Sequence, residues 1–213
     1  MNSIGRILSR VRKLKNSKVR NIIDFRMKEF EHAGKMSGTE IFKELCFCLL
    51  TANFNAERSI KIQKEIGDGF ITLHLEELSE KLASFGHRYP NARAAYIFEA
   101  RKHKDTLKEN LEGMPDDFSA REWLVCNVKG LGYKEASHFL RNIGRKNLAI
   151  IDFHIVDILA ENKLIEPPKS KCLTKKKYLE IEEVLRAIGQ KAGLNPAELD
   201  LYLWYMETGK VLK

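Results

Sequence analysis

Lys134 and Asp152 are the two side chains whose setting suggests covalent chemistry. Lys134 follows the turn Lys129-Gly130-Leu131-Gly132-Tyr133. Two glycines around one leucine force a tight turn between apolar runs. A helix restarting at Tyr133 presents bare N–H groups to an anion, which makes the turn a phosphate site. An amine at the start of such a helix is carried towards whatever is attached to that phosphate, although a lysine there is otherwise a solvated surface residue. The helix N-terminus and nearby cations would disfavour its ammonium form and make a nucleophilic amine more accessible. Asp152 follows eighteen residues later, after Ala149-Ile150-Ile151. A carboxylate there is an excellent N-cap for a following helix. Held ionised at a helix start, it can also stabilise a developing positive charge. Both readings can hold together.

The turn needs two helices to present it. Ser119, with Glu122 three residues on, matches a capping box ahead of the apolar run through Leu124, and the first helix ends near Val128. The second runs from Tyr133 through Phe139, Leu140 and Ile143 to a terminating Gly144. Helical periodicity dominates elsewhere too, over about 4–14, 17–33, 39–51, 55–66, 75–84, 91–103, 119–128, 133–143, 152–162, 174–190 and 195–206. Thr39 and Asn55 read as N-caps, and Gly67, Gly86 and Gly144 as stops. Pro167-Pro168 and the basic run Lys169 to Lys177 mark a surface loop. The chain is expected to be all-α.

Its 213 residues allow one domain or two small lobes. A formal charge of +8 and a pI near 9.2 suit a polyanionic partner without separating DNA from RNA or a membrane surface. No apolar run approaches the roughly 20 residues that span a bilayer. Arg6, Arg10, Arg12, Lys13, Lys15, Lys18 and Arg20 crowd an acid-free start that could suit an organelle transit peptide. However, the stripe Ile4, Ile7, Leu8, Val11, Leu14 favours a folded basic helix. Cys46, Cys48, Cys126 and Cys172 read as buried, reduced thiols of an intracellular protein.

The Gly-x-Gly-x-Lys hairpin followed by an aspartate resembles the helix-hairpin-helix DNA glycosylase superfamily. Within it the chain is most similar to the type-2 8-oxoguanine DNA glycosylase/AP lyases of archaea and some thermophilic bacteria. Four stretches carry the likeness: Leu49 to Asn53, Gly130 to Asn142, Ile150 to His154, and Asp200 to Lys213. Phe153 departs from the pattern, where such proteins often place a basic residue. The resemblance implies a two-lobed fold with an interlobe active-site cleft. A central lobe would cover about 36–146, and a second lobe would take residues 1–35 and 147–213. It also implies a monomeric, intracellular enzyme of a prokaryote (cytoplasm or nucleoid) that acts in base excision repair on double-stranded DNA containing 8-oxoguanine or abasic sites. In this reading Lys134 attacks the sugar C1′, forms a Schiff base and nicks the strand by β-elimination, while Asp152 supports departure of the base.

Other roles follow from the same likeness. The hairpin glycines Gly130 and Gly132 would contact phosphate. A structural Na+ or K+ could rest on the main-chain carbonyls of Cys126, Val128 and Leu131. Asn53 would fill the gap left by an extruded base, or else simply form a turn after the preceding helix. Arg88 and Tyr89 offer a phosphate contact beside an aromatic wedge, and His154 would orient the strand or the aspartate. On the last helix Asp200 and Trp204 lie one turn apart, suited to the edge and face of a flipped base. The terminal Lys213 would help distinguish 8-oxoguanine from guanine. Some superfamily members hold an iron–sulfur cluster on four C-terminal cysteines; with only Cys172 in the last third, none is expected here, and no other cofactor is required for catalysis. Two alternatives stand beside this reading. One is an oxidised-pyrimidine or adenine glycosylase of the same fold, and the other is a non-catalytic helix-hairpin-helix DNA-binding module.

Overall fold

The computed structural model describes residues 3–168, 170 and 173–213. Cys172, Lys169 and Lys171 therefore lie outside the described residues, and with them part of the expected basic loop. Every regular element among the described residues is helical. The α-helices are α1 Ser3–Lys15, α2 Val19–Ala33, α3 Gly38–Thr51, α4 Ala56–Ile66, α5 Gly69–Thr72, α6 Leu75–Ser84 and α7 Pro90–Ala100. A 3-10 turn at Arg101–His103 precedes α8 Leu107–Glu112, α9 Asp117–Asn127 and α10 Tyr133–Asn142. The chain then forms α11 Phe153–Glu161, α12 Lys175–Ala192 and α13 Pro196–Thr208. The short helices α5 and α8 fall in stretches too brief for helical periodicity to register.

Two compact units emerge, one from Met1–Glu31 with Gly144–Lys213 and the other from His32–Ile143. The second unit is organised around α3, which packs against α4, α7, α8 and α10. From Leu45 to Thr51 every residue of α3 is buried, so the last two turns of this helix are enclosed on all faces. Cys46 and Cys48 are both buried for that reason, although they cannot share one face. Desolvation pushes the Cys46 thiol far above its ordinary range. In the first unit α1 packs on α12 and α13, its Ile7 and Val11 fully buried. The Lys15 Nζ donates to the Ala192 carbonyl at 2.7 Å, placing a cation at the end of α12.

Local capping explains where several helices begin. Asn55 accepts from the Arg58 N–H, as expected. Ser37, not Thr39, caps α3, accepting from the Glu40 N–H at 3.3 Å. Likewise Asp116, not Ser119, caps α9: its carboxylate accepts from the Ser119 N–H at 2.7 Å, so the helix begins a turn earlier. A carboxylate is the stronger acceptor for these N–H groups because it also meets the positive end of the helix dipole. Glu122 consequently closes no capping box and instead accepts a hydrogen bond from the Tyr133 hydroxyl across the hairpin. Asn195 and Glu198 form a reciprocal capping box on α13.

Candidate active site

The hairpin turn lies between α9 and α10. Val128 ends α9 with its N–H on the Leu124 carbonyl, and the Leu131 N–H returns to the Val128 carbonyl at 3.2 Å. Gly130 has φ +91°, and a Cβ there would come within 2.4 Å of the Tyr96 ring. Both the backbone and the neighbouring ring therefore demand glycine. Gly132 offers no side-chain cap to the first turn of α10, the situation in which helix N-terminal N–H groups take an external anion. Lys129 beside the turn pairs with Glu99 at 3.5 Å.

Lys134 stands in that first turn with its side chain 24% exposed. Its partner is a carboxylate: Glu135 Oε1 lies 3.8 Å from Nζ. A carboxylate thus stands where only cations were expected, because adjacency in sequence alone does not show that both side chains fold to the same side. Cys126, expected to be buried, is exposed on α9. It sits two residues beyond the buried Leu124, about 200° round the helix and so on the opposite face.

A second group forms where α3 ends. Asn53 is exposed with φ +56°, a left-handed residue just past the C-cap Ala52. The stretch Gly86 to Pro90 is fastened to the same helix end. His87 Nε2 bonds the Leu50 carbonyl at 3.0 Å, while its Nδ1 accepts from the Tyr89 N–H at 3.1 Å. These partners assign the ring proton to Nε2, and burial pushes the imidazole pKa down, favouring the neutral ring. Arg93, on the first turn of α7, donates to the Ala52 carbonyl at 2.6 Å. Its guanidinium also lies 5.7 Å from the ring centres of both Tyr89 and Tyr96. Tyr89 remains 38% exposed, with the Arg88 guanidinium 5.0 Å from its ring centre. Asn53, Tyr89 and, through Tyr96, Gly130 are thus linked by one buried arginine that the sequence did not single out.

In the other unit Asp152 caps α11, its Oδ1 accepting from the Ile155 N–H at 3.0 Å. Phe153 is the first residue of that helix and is 47% exposed. The exposed His154 meets Trp204 edge to face, ring centres 5.2 Å apart. Trp204 is half-buried on α13, and its indole Nε1 is buried with no hydrogen-bond partner among the described residues. One turn earlier, half-buried Asp200 borders a small apolar pocket with Ile150, Ile155, Leu199 and Leu203. Lys213 is half-buried at the chain end.

Similarity to known proteins shows the family of the chain. The sequence profile described as 8-oxoguanine DNA glycosylase matches residues 23–194. The 8-oxoguanine DNA glycosylase/AP lyase of Korarchaeum cryptofilum is 55% identical over 207 residues, 97% of this chain and 98% of that one. Its counterpart in Methanocaldococcus jannaschii is 55% identical over 208 residues, 97% and 99% of the two chains. The crystal structure of the M. jannaschii 8-oxoguanine glycosylase/lyase in complex with a 15mer DNA containing 8-oxoguanine matches with a TM-score of 0.95 at 53% identity, covering 98% of this chain and all of that one. A helical chain with a Gly-x-Gly hairpin, related along nearly its full length to these enzymes, belongs to the 8-oxoguanine DNA glycosylase family.

Proposed function

We infer that this protein excises 8-oxoguanine from double-stranded DNA and then nicks the strand at the resulting abasic site. The observation that carries this reading is Lys134, an amine in the first turn of α10 immediately behind a glycine turn with no side-chain cap. A phosphate held by Gly130 and Gly132 would bring the adjoining sugar to that amine. The nucleophile is the neutral amine, so its ammonium must first release a proton, and the Glu135 carboxylate 3.8 Å away is an acceptor at hand. Attack at C1′ breaks the glycosidic bond, and the base departs with the bonding electrons and takes up a proton. The sugar ring opens to a Schiff base on Lys134. Removal of a C2′ proton then expels the 3′ phosphate by β-elimination. Asp152 keeps a carboxylate against the positive charge that develops on the sugar, a role its capping bond to Ile155 supports by fixing its orientation.

The remaining assignments are proposals of the same kind. Trp204 stacks on the extruded base, and its orphaned indole N–H is a donor awaiting an acceptor. Asp200 and Lys213 read the base edge. Asn53 and Tyr89 occupy the disrupted stack, while Arg88 and His154 hold the strand. A monovalent cation on the carbonyls of Cys126, Val128 and Leu131 would bridge turn and phosphate. Val128 already accepts one N–H, but a carbonyl oxygen carries a second lone pair. The enzyme acts as a monomer inside a prokaryotic cell.

Borohydride trapping on an 8-oxoguanine duplex tests the central claim. Wild type should leave a covalent protein–DNA adduct, and Lys134→Gln should leave none while binding DNA nearly as well, because one cation among many is lost. An undiminished adduct from Lys134→Gln would assign the nucleophile to another amine.

A further inference from the structure

The stretch Leu148 to Ile151 is buried and belongs to no helix or sheet. Buried backbone of this kind must find hydrogen-bond partners elsewhere. Two side chains of α12, one turn apart, supply them. The Glu182 carboxylate accepts from the Ala149 N–H at 2.9 Å. The Tyr178 hydroxyl donates to the Ala149 carbonyl at 2.8 Å and accepts from the Ile151 N–H at 3.3 Å. Both side chains are almost wholly enclosed, Glu182 at 1% and Tyr178 at 3% exposure. The next residue is Asp152, whose carboxylate is oriented in turn by the Ile155 N–H. One carboxylate and one phenol therefore set the path of the chain up to that aspartate.

We propose that Tyr178 and Glu182 are positioning residues for Asp152, holding Ala149 and Ile151 so that its carboxylate meets the sugar as the base departs. This rests on the catalytic reading of Asp152 given above. Neither side chain touches the reacting atoms; their effect passes through the backbone alone. Burying a carboxylate is costly, and an apolar pair would pack against Leu148 to Ile151 as tightly. Only the polar pair fixes the orientation of those peptide groups.

The test is a double-mutant cycle of Tyr178→Phe with Asp152→Asn, read by single-turnover excision at saturating enzyme. Circular dichroism verifies folding at the assay temperature. Tyr178→Phe keeps the ring and removes both hydroxyl bonds. It should slow excision about tenfold, near 1.4 kcal/mol of barrier, with DNA affinity unchanged within about twofold, the resolution expected when no phosphate contact is lost. Schiff-base trapping at a preformed abasic site, which requires no base departure, should also hold. In the Asp152→Asn background the same substitution should have no further effect. If the two losses instead multiply, or abasic-site trapping falls in step with excision, Tyr178 is merely structural and the proposal is overturned. Wild-type excision by Asp152→Asn alone would overturn the catalytic reading beneath it. Should Tyr178→Phe fail to fold, the pair Glu182→Gln and Glu182→Leu decides. Gln keeps an acceptor for the Ala149 N–H, so it should preserve excision while Leu loses it; equal rates from the two would refute positioning.

Discussion

Gly130→Ala tests the hairpin most directly. At φ +91° an alanine costs about 1–2 kcal/mol of backbone strain. Its Cβ would also lie 2.4 Å from the Tyr96 ring. The ring must retreat by about 1 Å to restore ordinary contact, and overpacking of that order costs about 1–3 kcal/mol. The combined loss is about 2–5 kcal/mol on these two terms. Urea unfolding at constant m-value measures it. Tyr96→Ala separates the terms: in its background the ring is absent, so Gly130→Ala should cost only the backbone part, about 1–2 kcal/mol. A Gly130→Ala cost that is identical with and without the Tyr96 ring would refute the account of the contact. The defect should reach DNA binding as well, because the Arg93 guanidinium lies against Tyr96 and holds the Ala52 carbonyl beside Asn53.

Two further outcomes are expected. Removing Lys213 should reduce the preference for 8-oxoguanine over guanine by about 1–3 kcal/mol, the scale of one buried contact. Cleavage of abasic DNA should be nearly unaffected, so equal losses on both substrates would indicate general damage instead. Burial holds the folded His87 pKa below its ordinary 6.5, so its contribution to stability is complete above that pH. As pH falls through 6.5 the unfolded chain takes up a proton that the folded chain refuses, and stability declines until the lowered folded pKa is reached. Urea midpoints measured between about pH 7.5 and pH 5 should fall further for wild type than for His87→Gln, and parallel curves would contradict this.

Most of the helices were legible because apolar period and capping agree along the chain, as at Asn55 and Gly144. The place of Lys134 in the first turn of α10 and of Asp152 as the cap of α11 was legible because a glycine turn and an apolar triplet point at them from immediate neighbours. The misread helix starts were local competitions between near-equivalent caps. Ser37 and Thr39, or Asp116 and Ser119, differ only in which oxygen reaches the N–H groups, and spacing does not encode that. Arg93, Tyr178 and Glu182 were invisible for another reason. Each acts on backbone far away in sequence, 41 residues for Arg93 and 33 for Glu182. Alone in the sequence they read as an ordinary arginine, tyrosine and glutamate on helical faces. Cys126 was misassigned because cysteine is commonly buried, whereas its place on α9 turns it outward.

The fastening of Gly86 to Pro90 onto the end of α3 bears on how a lesion is found among sound bases. Nearly every encounter a repair enzyme makes is with undamaged duplex, and each is brief. A probing loop that ordered itself only on contact would lose about 1–2 kcal/mol of backbone entropy per residue at every one of those encounters. Here His87, Arg93 and the Leu50 and Ala52 carbonyls hold Tyr89 and Asn53 in place in the chain itself, before any duplex arrives. With Tyr89 and Asn53 in the stack-disrupting roles proposed above, the variable quantity at each site would be the ease with which the base pair comes apart, which differs between damaged and intact DNA. A stiff probe would then let the duplex report its own weakness, and its survey would not wait on loop folding.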